Sequence, residues 1–232
     1  MRHGLAVMTT VATILGATSV CAESMSGGLA FGFGHSNVKH KMGPNKSGIA
    51  THETHQDLSM NGFLGGLFAN WRTQMSEGEL PTHAGIELAA DLSTQKGKAT
   101  SFIVQGGQRG PAVNIKRKNA FQLVGLLGAK YGNMRTDIRV GYDFSNMEYK
   151  TNGSGTPSKK RQYVGGLSVG FGLAAEVTPT MTLGLTYDYI LHSSFKANNM
   201  SIGGLAGLAA PAADVKLRAR TGVVKLRFGY AF

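Results

Sequence analysis

The chain is poor in cysteine, proline and charge: its 232 residues include one cysteine, 6 prolines and 16% charged side chains. A lone cysteine forms no internal disulfide and cannot supply a cysteine-rich zinc module. The charged fraction lies well under the roughly 25% of an ordinary soluble domain. With 42% hydrophobic residues the chain is nonetheless too apolar for a disordered segment. Glycine is abundant, at 33 residues, but follows no triplet repeat, which excludes collagen. Beyond residue 22 no run of 18 apolar residues exists, so no transmembrane helix is expected. Acids are scarce too, 13 against 24 lysines and arginines, for a net charge of +11. That balance fits a polyanionic partner without choosing among nucleic acid, membrane surface and glycan.

What the chain does contain begins with an address. Residues 1–22, MRHGLAVMTTVATILGATSVCA, combine Arg2, an apolar stretch diluted by threonines, and a small-residue site at Val20-Cys21-Ala22. This is the layout of a secretory signal cleaved after Ala22. The expected organisation is therefore a signal peptide over 1–22 and one domain over 23–232. The exported domain would hold no cysteine, as suits an oxidising compartment.

The remainder alternates with period two, the mark of strands with two unlike faces. From Tyr163 to Val177 the odd positions include Leu167, Val169, Phe171 and Leu173, while the even ones include Ser168, Gly170, Gly172 and Glu176. After Thr178-Pro179-Thr180 the pattern resumes with Met181, Leu183, Leu185, Tyr187, Tyr189 and Leu191 on one face. Six further strands are read near 28–38, 61–73, 82–94, 120–132, 135–148 and 215–232. Leu64 and Phe68 interrupt the second, and an apparent phase slip between Thr221 and Val224 points to a bulge or to a strand rising above a bilayer. Short connections alternate with long ones. The expectation is an all-β fold, an eight-stranded antiparallel transmembrane β-barrel with short periplasmic turns and long extracellular loops. Large residues would face lipid, and aromatics sort to the two strand ends as girdles do.

The closing segment VVKLRFGYAF places Val224, Leu226, Phe228, Tyr230 and Phe232 at alternate steps. It resembles the last strand of outer-membrane barrels read by the barrel-assembly machinery, which makes Phe228, Tyr230 and Phe232 the implied assembly signal. Together with the GGLSVGFGLAAEVTPTMTLGLTYDY hairpin, the chain is similar to the small eight-stranded surface barrels, among them opacity-like proteins and the barrel domain of outer-membrane protein A. The resemblance implies envelope integrity or surface adhesion, an outer-membrane location in contact with lipid and lipopolysaccharide, and a monomer without cofactor. It carries over no catalytic residue.

Two charged groups are candidate sites. Arg72, Glu87, Asp91, Lys130, Asp137, Arg139, Asp143, Glu176, Asp188, Lys225 and Arg227 fall on the inward face. They form either a salt-bridge plug or the wall of a low-conductance channel, since buried charges must pair. Lys96, Lys98, Arg109, Lys116, Arg117, Lys118, Lys159, Lys160 and Arg161 lie in or beside the long loops. They either solvate those loops or contact host polyanions; nucleic acid does not fit an exported surface. His52-Glu53-Thr54-His55 lacks one residue of the zinc motif H-E-x-x-H, so no metal is expected. His192-Ser193-Ser194 is similar in spacing to the lipid A deacylase arrangement, but Phe195 stands where Asn belongs and no glutamate follows. An enzyme is accordingly not expected.

Overall fold

The computed structural model describes residues 24–44, 54–76, 80–99, 103–104, 108–109, 112–152, 159–201 and 212–232. The proposed signal at 1–22 lies outside them, as do His52 and Glu53. Twelve strands follow one another: β1 (Ser24–Pro44), β2 (Thr54–Ser76), β3 (Thr82–Ser93), β4 (Lys96–Ala99), β5 (Ile103–Val104), β6 (Gln108–Arg109), β7 (Ala112–Tyr131), β8 (Met134–Asn152), β9 (Lys159–Glu176), β10 (Met181–His192), β11 (Phe195–Ser201) and β12 (Ala212–Ala231). Ten of them form one antiparallel sheet, and β5 and β6 pair separately. Because β1 pairs with both β2 and β12, the sheet closes on itself. β4 continues β3 between β2 and β7, and β11 continues β10 beside β12, so the ring has eight staves. Closure removes every free edge along the lower wall.

Tight connections gather at one end. Tyr131 and Met134 face each other across Gly132-Asn133, with Gly132 at φ 57°, a left-handed conformation that glycine adopts without steric cost. Over the half of the wall nearest these turns, the large side chains point outward. Phe31, Leu67, Ile138, Leu167, Phe171 and Leu226 are all exposed, and Phe63 is 71% exposed. No water-soluble fold leaves so continuous an apolar belt bare.

Toward the other end the wall turns inside out. Val38, Leu58, Met60, Val113, Ile115, Met147, Tyr149, Val164, Phe195, Val215 and Leu217 pack into one buried cluster within the ring. The outward positions there are polar or basic, among them Lys39, Lys116, Lys150, Lys216 and Arg218. β12 runs through both regimes without a break in its pairing to β1, so of the two readings of Thr221–Val224 the bulge is absent and the strand continuing above the apolar belt is what is found. Odd residues of β12 point inward throughout; what changes is the medium outside. The apolar row merely moves from Val215/Leu217/Ala219 inside to Val224/Leu226/Phe228 outside. Leu64 and Phe68 likewise keep the alternation of β2, as inward, buried residues.

Much of what the sequence reads as loop is therefore raised wall. β1 extends to Pro44, β2 starts at Thr54, and β7 starts at Ala112.

Candidate functional site: a filled lumen beneath a basic collar

The interior is layered along the barrel axis. Nearest the tight turns, Arg72 Nη2 donates to Asp137 Oδ2 at 2.9 Å, while His83 Nε2 meets Asp137 Oδ1 at 2.7 Å. Asn70 Oδ1 accepts from both Arg72 Nη1 and Ser26 Oγ, each at 2.7 Å. The next layer centres on Glu87, whose two oxygens take hydrogen bonds from Arg139 Nη2 at 2.9 Å and Arg227 Nη2 at 2.7 Å. Arg139 Nε also donates to Asp188 Oδ1 at 2.9 Å. The Arg227 guanidinium lies 3.7 Å from the centroid of the Phe68 ring, a cation–π contact in a dry site. Lys225 Nζ then bridges Asp91 Oδ2 at 2.5 Å and Gln122 Oε1 at 3.1 Å.

Such layers need room beside each ion, and glycine supplies it. A Cβ on Gly170 would run into Asp188 Oδ1 and the Tyr187 carbonyl.

Above the ionic layers Leu64, Ile190 and Val223 form a small apolar cluster. Over it sits a further ionic group: Arg117 donates to Asp143 Oδ2 at 2.9 Å, Ser145 Oγ at 2.7 Å and Gln95 Oε1 at 3.2 Å. His192 Nε2 and Ser36 Oγ flank Thr221 Oγ1 at 3.1 and 2.8 Å. The large apolar cluster caps the stack. The gap among its Val38, Met60, Ile115, Met147 and Leu217 is about 10 Å³, space for roughly one water.

The placement of Arg117 corrects the sequence reading, which put it among the basic loop residues. It is 1% exposed inside the ring. The cause is one extra residue in β7, where Arg117 faces Met147 but Ala120 faces Ser145. This bulge at Lys118-Asn119 reverses the in–out parity and swings Arg117 inward. With it, six bases (Arg72, Arg117, Lys130, Arg139, Lys225, Arg227) match six acids (Glu87, Asp91, Asp137, Asp143, Glu176, Asp188). Lys130 and Glu176 are corrected as well. They pair at 2.8 Å but stand part-exposed at the turn-end rim rather than buried in the lumen. Asp137 and Asp143 have separate partners and do not form a cooperating carboxylate pair.

Outside, the raised wall carries the collar. Lys96, Lys98 and Lys116 are exposed on β4 and β7, so these cations sit on strands rather than in loops. Arg109 belongs to β6. Lys118, Lys159 and Arg161 gather on Glu148 Oε2 at 3.2, 3.4 and 2.6 Å. Being overlaid by these side chains would raise the Glu148 pKa, but their hydrogen bonds outweigh that effect and hold it at about 2. Lys160 departs from the expected collar: it stands opposite the buried Tyr149, on the inward face of β9 with Val164, and is half-buried. At the opposite end of the barrel Phe228, Tyr230 and Phe232 are exposed, and the Phe232 amide donates to the Met25 carbonyl at 3.2 Å.

The profile of the outer membrane protein beta-barrel domain family matches residues 8–232. The chain belongs to that family. No curated protein matches it. Among solved structures, the outer membrane protein OprG from Pseudomonas aeruginosa superposes with a TM-score of 0.53 at 14% identity, covering 91% of this chain and 97% of that one. The outer membrane protease OmpT from Escherichia coli gives 0.48 at 9% identity, covering 91% and 97%. Ail, the attachment invasion locus protein of Yersinia pestis, gives 0.41 at 11% identity, covering 89% and 98%. These likenesses concern the fold.

As a barrel of this outer-membrane family, the chain meets hydrocarbon with its apolar belt and lifts its inverted half above the bilayer. Phe33 and Phe63 pack edge to face at a 5.7 Å centroid distance near the upper margin of the belt, where ring systems favour the interface. Its His192 ring points into the lumen, away from lipid. The nearest carboxylate oxygen, Asp143 Oδ1, lies 3.8 Å from Nδ1, beyond hydrogen-bond reach. Among the described residues no group of three or more His, Cys, Asp or Glu is arranged to hold a metal ion.

A third basic group lines the outer wall of β1, β12 and β11: Lys39, Lys41, Lys196, Lys216, Arg218 and Arg220. The sequence places Lys216, Arg218 and Arg220 at the opening of the last strand, above the membrane, but does not join Lys39, Lys41 and Lys196 to them. The signal was the pair of alternating runs, Lys39/Lys41 and Lys216/Arg218/Arg220, brought side by side only once the ring closes.

Proposed function

We propose that this protein is a non-catalytic, monomeric surface barrel that serves the envelope as a structural element and contacts polyanions through its basic collar. One observation carries the reading: the raised wall is basic on its outward face while stacked ionic and apolar layers cross its interior. Layers of paired ions and packed apolar side chains across the lumen support a surface role over a conducting one. Lys96, Lys98, Lys116, Lys118, Lys159 and Arg161 supply the positive field, which attracts anionic glycans at long range and weakens with salt. Within this reading the signal at 1–22 exports the chain and Phe228, Tyr230 and Phe232 present it to the assembly machinery.

The test is binding of soluble heparin to the folded barrel across a salt series. Replacing the exposed Lys96, Lys98 and Lys116 by alanine should lower affinity at least tenfold and flatten the salt slope. Arg117 is left in place, because removing it would strand Asp143. Affinity unchanged in that variant refutes the collar as the binding surface.

A further inference from the structure

The upper wall is not hydrogen-bonded all the way round. β9 pairs with β10 up to Gly166, opposite His192, and the Ser193 amide adds one bond to the Gly165 carbonyl at 2.7 Å. The chain then breaks at Ser193-Ser194 and resumes as β11, whose ladder runs to β12. Upper β9 is paired along one edge, with β8, from Val164 opposite Ser145 to Lys159 opposite Lys150. Among the described residues no strand pairs with its other edge, the one toward β11. The result is a seam running from Val164 up to Lys159, about 20 Å of strand. It opens above Leu167 and Leu191, the uppermost outward aliphatic side chains of β9 and β10, and so stands clear of the hydrocarbon.

This edge is chemically ready for another chain. Along a strand the main-chain polar groups of successive residues point to opposite edges. The Gly165 carbonyl points across to Ser193, so Tyr163 and Arg161 turn their N–H and C=O into the seam, while Gln162 and Val164 turn theirs to β8. Water reaches the edge: Tyr163 is 57% exposed, and Gln162 is exposed although it shares the inward register of Val164. Behind lies the apolar cluster, with Val164 and Phe195 among the side chains that line its gap of about 10 Å³. In front, Lys159 and Arg161 of β9 and Lys196 of β11 are exposed on the outward face. The connections 153–158 and 202–211, which lead into β9 and out of β11, contain no acidic residue.

We infer that upper β9 is a docking edge for an extended acidic peptide, which enters the seam as an added strand antiparallel to β9. Unpaired strand edges template such additions, and the main-chain bonds give affinity while alternate side chains give selectivity. Outward residues of the peptide lie among Lys159, Arg161 and Lys196 and are acidic. Inward residues meet Val164 and Phe195, where space is small, and are alanine or valine. The mode differs from the polyanion contact of the collar in requiring main-chain hydrogen bonds, so failure of either reading leaves the other standing.

The experiment titrates the full-length folded barrel, in detergent micelles, with a labelled octapeptide that alternates glutamate with alanine and valine. Two further peptides carry N-methyl groups on alternate amides, one in each phase, with their charge unchanged. At least one methylated phase should bind at least tenfold more weakly than the parent, and lysine in place of glutamate should also cost at least tenfold. Tyr163→Pro removes the N–H that points into the seam and spares the bonds to β8. It should weaken the parent peptide at least tenfold while changing heparin affinity less than twofold, and Tyr163→Phe should retain binding. A heat-shifted gel band verifies that the proline variant is folded; should it not fold, the methylated peptides on the wild-type barrel decide. No binding of the parent peptide, equal binding of the parent and both methylated peptides, equal binding of the lysine peptide, or binding untouched by Tyr163→Pro would overturn the assignment.

Discussion

Replacing Arg139 by methionine probes the ionic layer at its centre. Arg139 is 2% exposed and donates to Glu87 and Asp188, both at 2.9 Å. Without it Glu87 keeps Arg227, but Asp188 loses the donor to its Oδ1, and its Oδ2 has no partner among the described residues. Removing one member of a buried ion group costs about 3–5 kcal/mol, because the remaining charge stays desolvated. An exposed pair would cost under about 1 kcal/mol. Urea unfolding of the barrel in lipid vesicles, followed by Trp71 fluorescence and gel mobility, measures the difference. Adding Asp188→Asn to Arg139→Met should restore part of the loss, giving a coupling of about 1–3 kcal/mol. A cost near that of an exposed pair would mean that water reaches Glu87 and Asp188, and the account of a shielded ionic layer would be wrong.

Other outcomes follow from the same geometry. Planar-bilayer recording should detect no steady conductance from the wild type. It should detect none from Glu87→Ala with Arg139→Ala either, since the Lys225–Asp91 layer and the apolar clusters above remain. Glu148→Gln removes the anion on which Lys118, Lys159 and Arg161 converge, so heparin affinity should rise several-fold with a steeper salt dependence. Burial in the raised wall lowers the His40 pKa to about 4. The unfolded chain then binds more protons than the folded one between about pH 6.5 and 4, so stability should fall by up to about 3 kcal/mol as pH drops through that window. His40→Phe should flatten the curve, and an identical curve would exclude His40 as its source. Tyr230→Ala with Phe232→Ala should reduce the amount reaching the outer membrane while changing the urea stability of refolded protein by less than about 1 kcal/mol, because both rings are exposed.

The lower wall was legible because lipid and lumen differ sharply: Leu167, Val169 and Phe171 against Ser168, Gly170 and Gly172. The ring of eight staves and the inward position of most of the ionic residues follow from that contrast. The upper wall was legible only in β12, where a strand rising above a bilayer was one of two readings; elsewhere it was not, since the rule of outward apolar residues reverses there. Val215, Leu217 and Ala219 pointing in, followed by Val224 and Leu226 pointing out, look like a slip in one strand when they record a change of solvent. Arg117 shows a second limit. A bulge costs one residue and leaves no compositional mark, yet it moves a guanidinium from the outer surface to the interior. Phe195, inward after the Ser193-Ser194 break between β10 and β11, is displaced from the β10 alternation in the same way.

The inside-out upper wall also bears on how the molecule gets into place. Its outer cations Lys39, Lys216, Arg218 and Arg220 all have to end on the far side of the hydrocarbon layer. Dragging each arginine or lysine through the midplane on a lipid-facing surface costs about 2–4 kcal/mol, and a finished ring would carry them across together. Thermodynamics thus favours the final position while kinetics forbids pushing the completed cylinder through. The workable itinerary threads hairpins across while these side chains still touch water, and fastens the first strand to the last only after the passage is over.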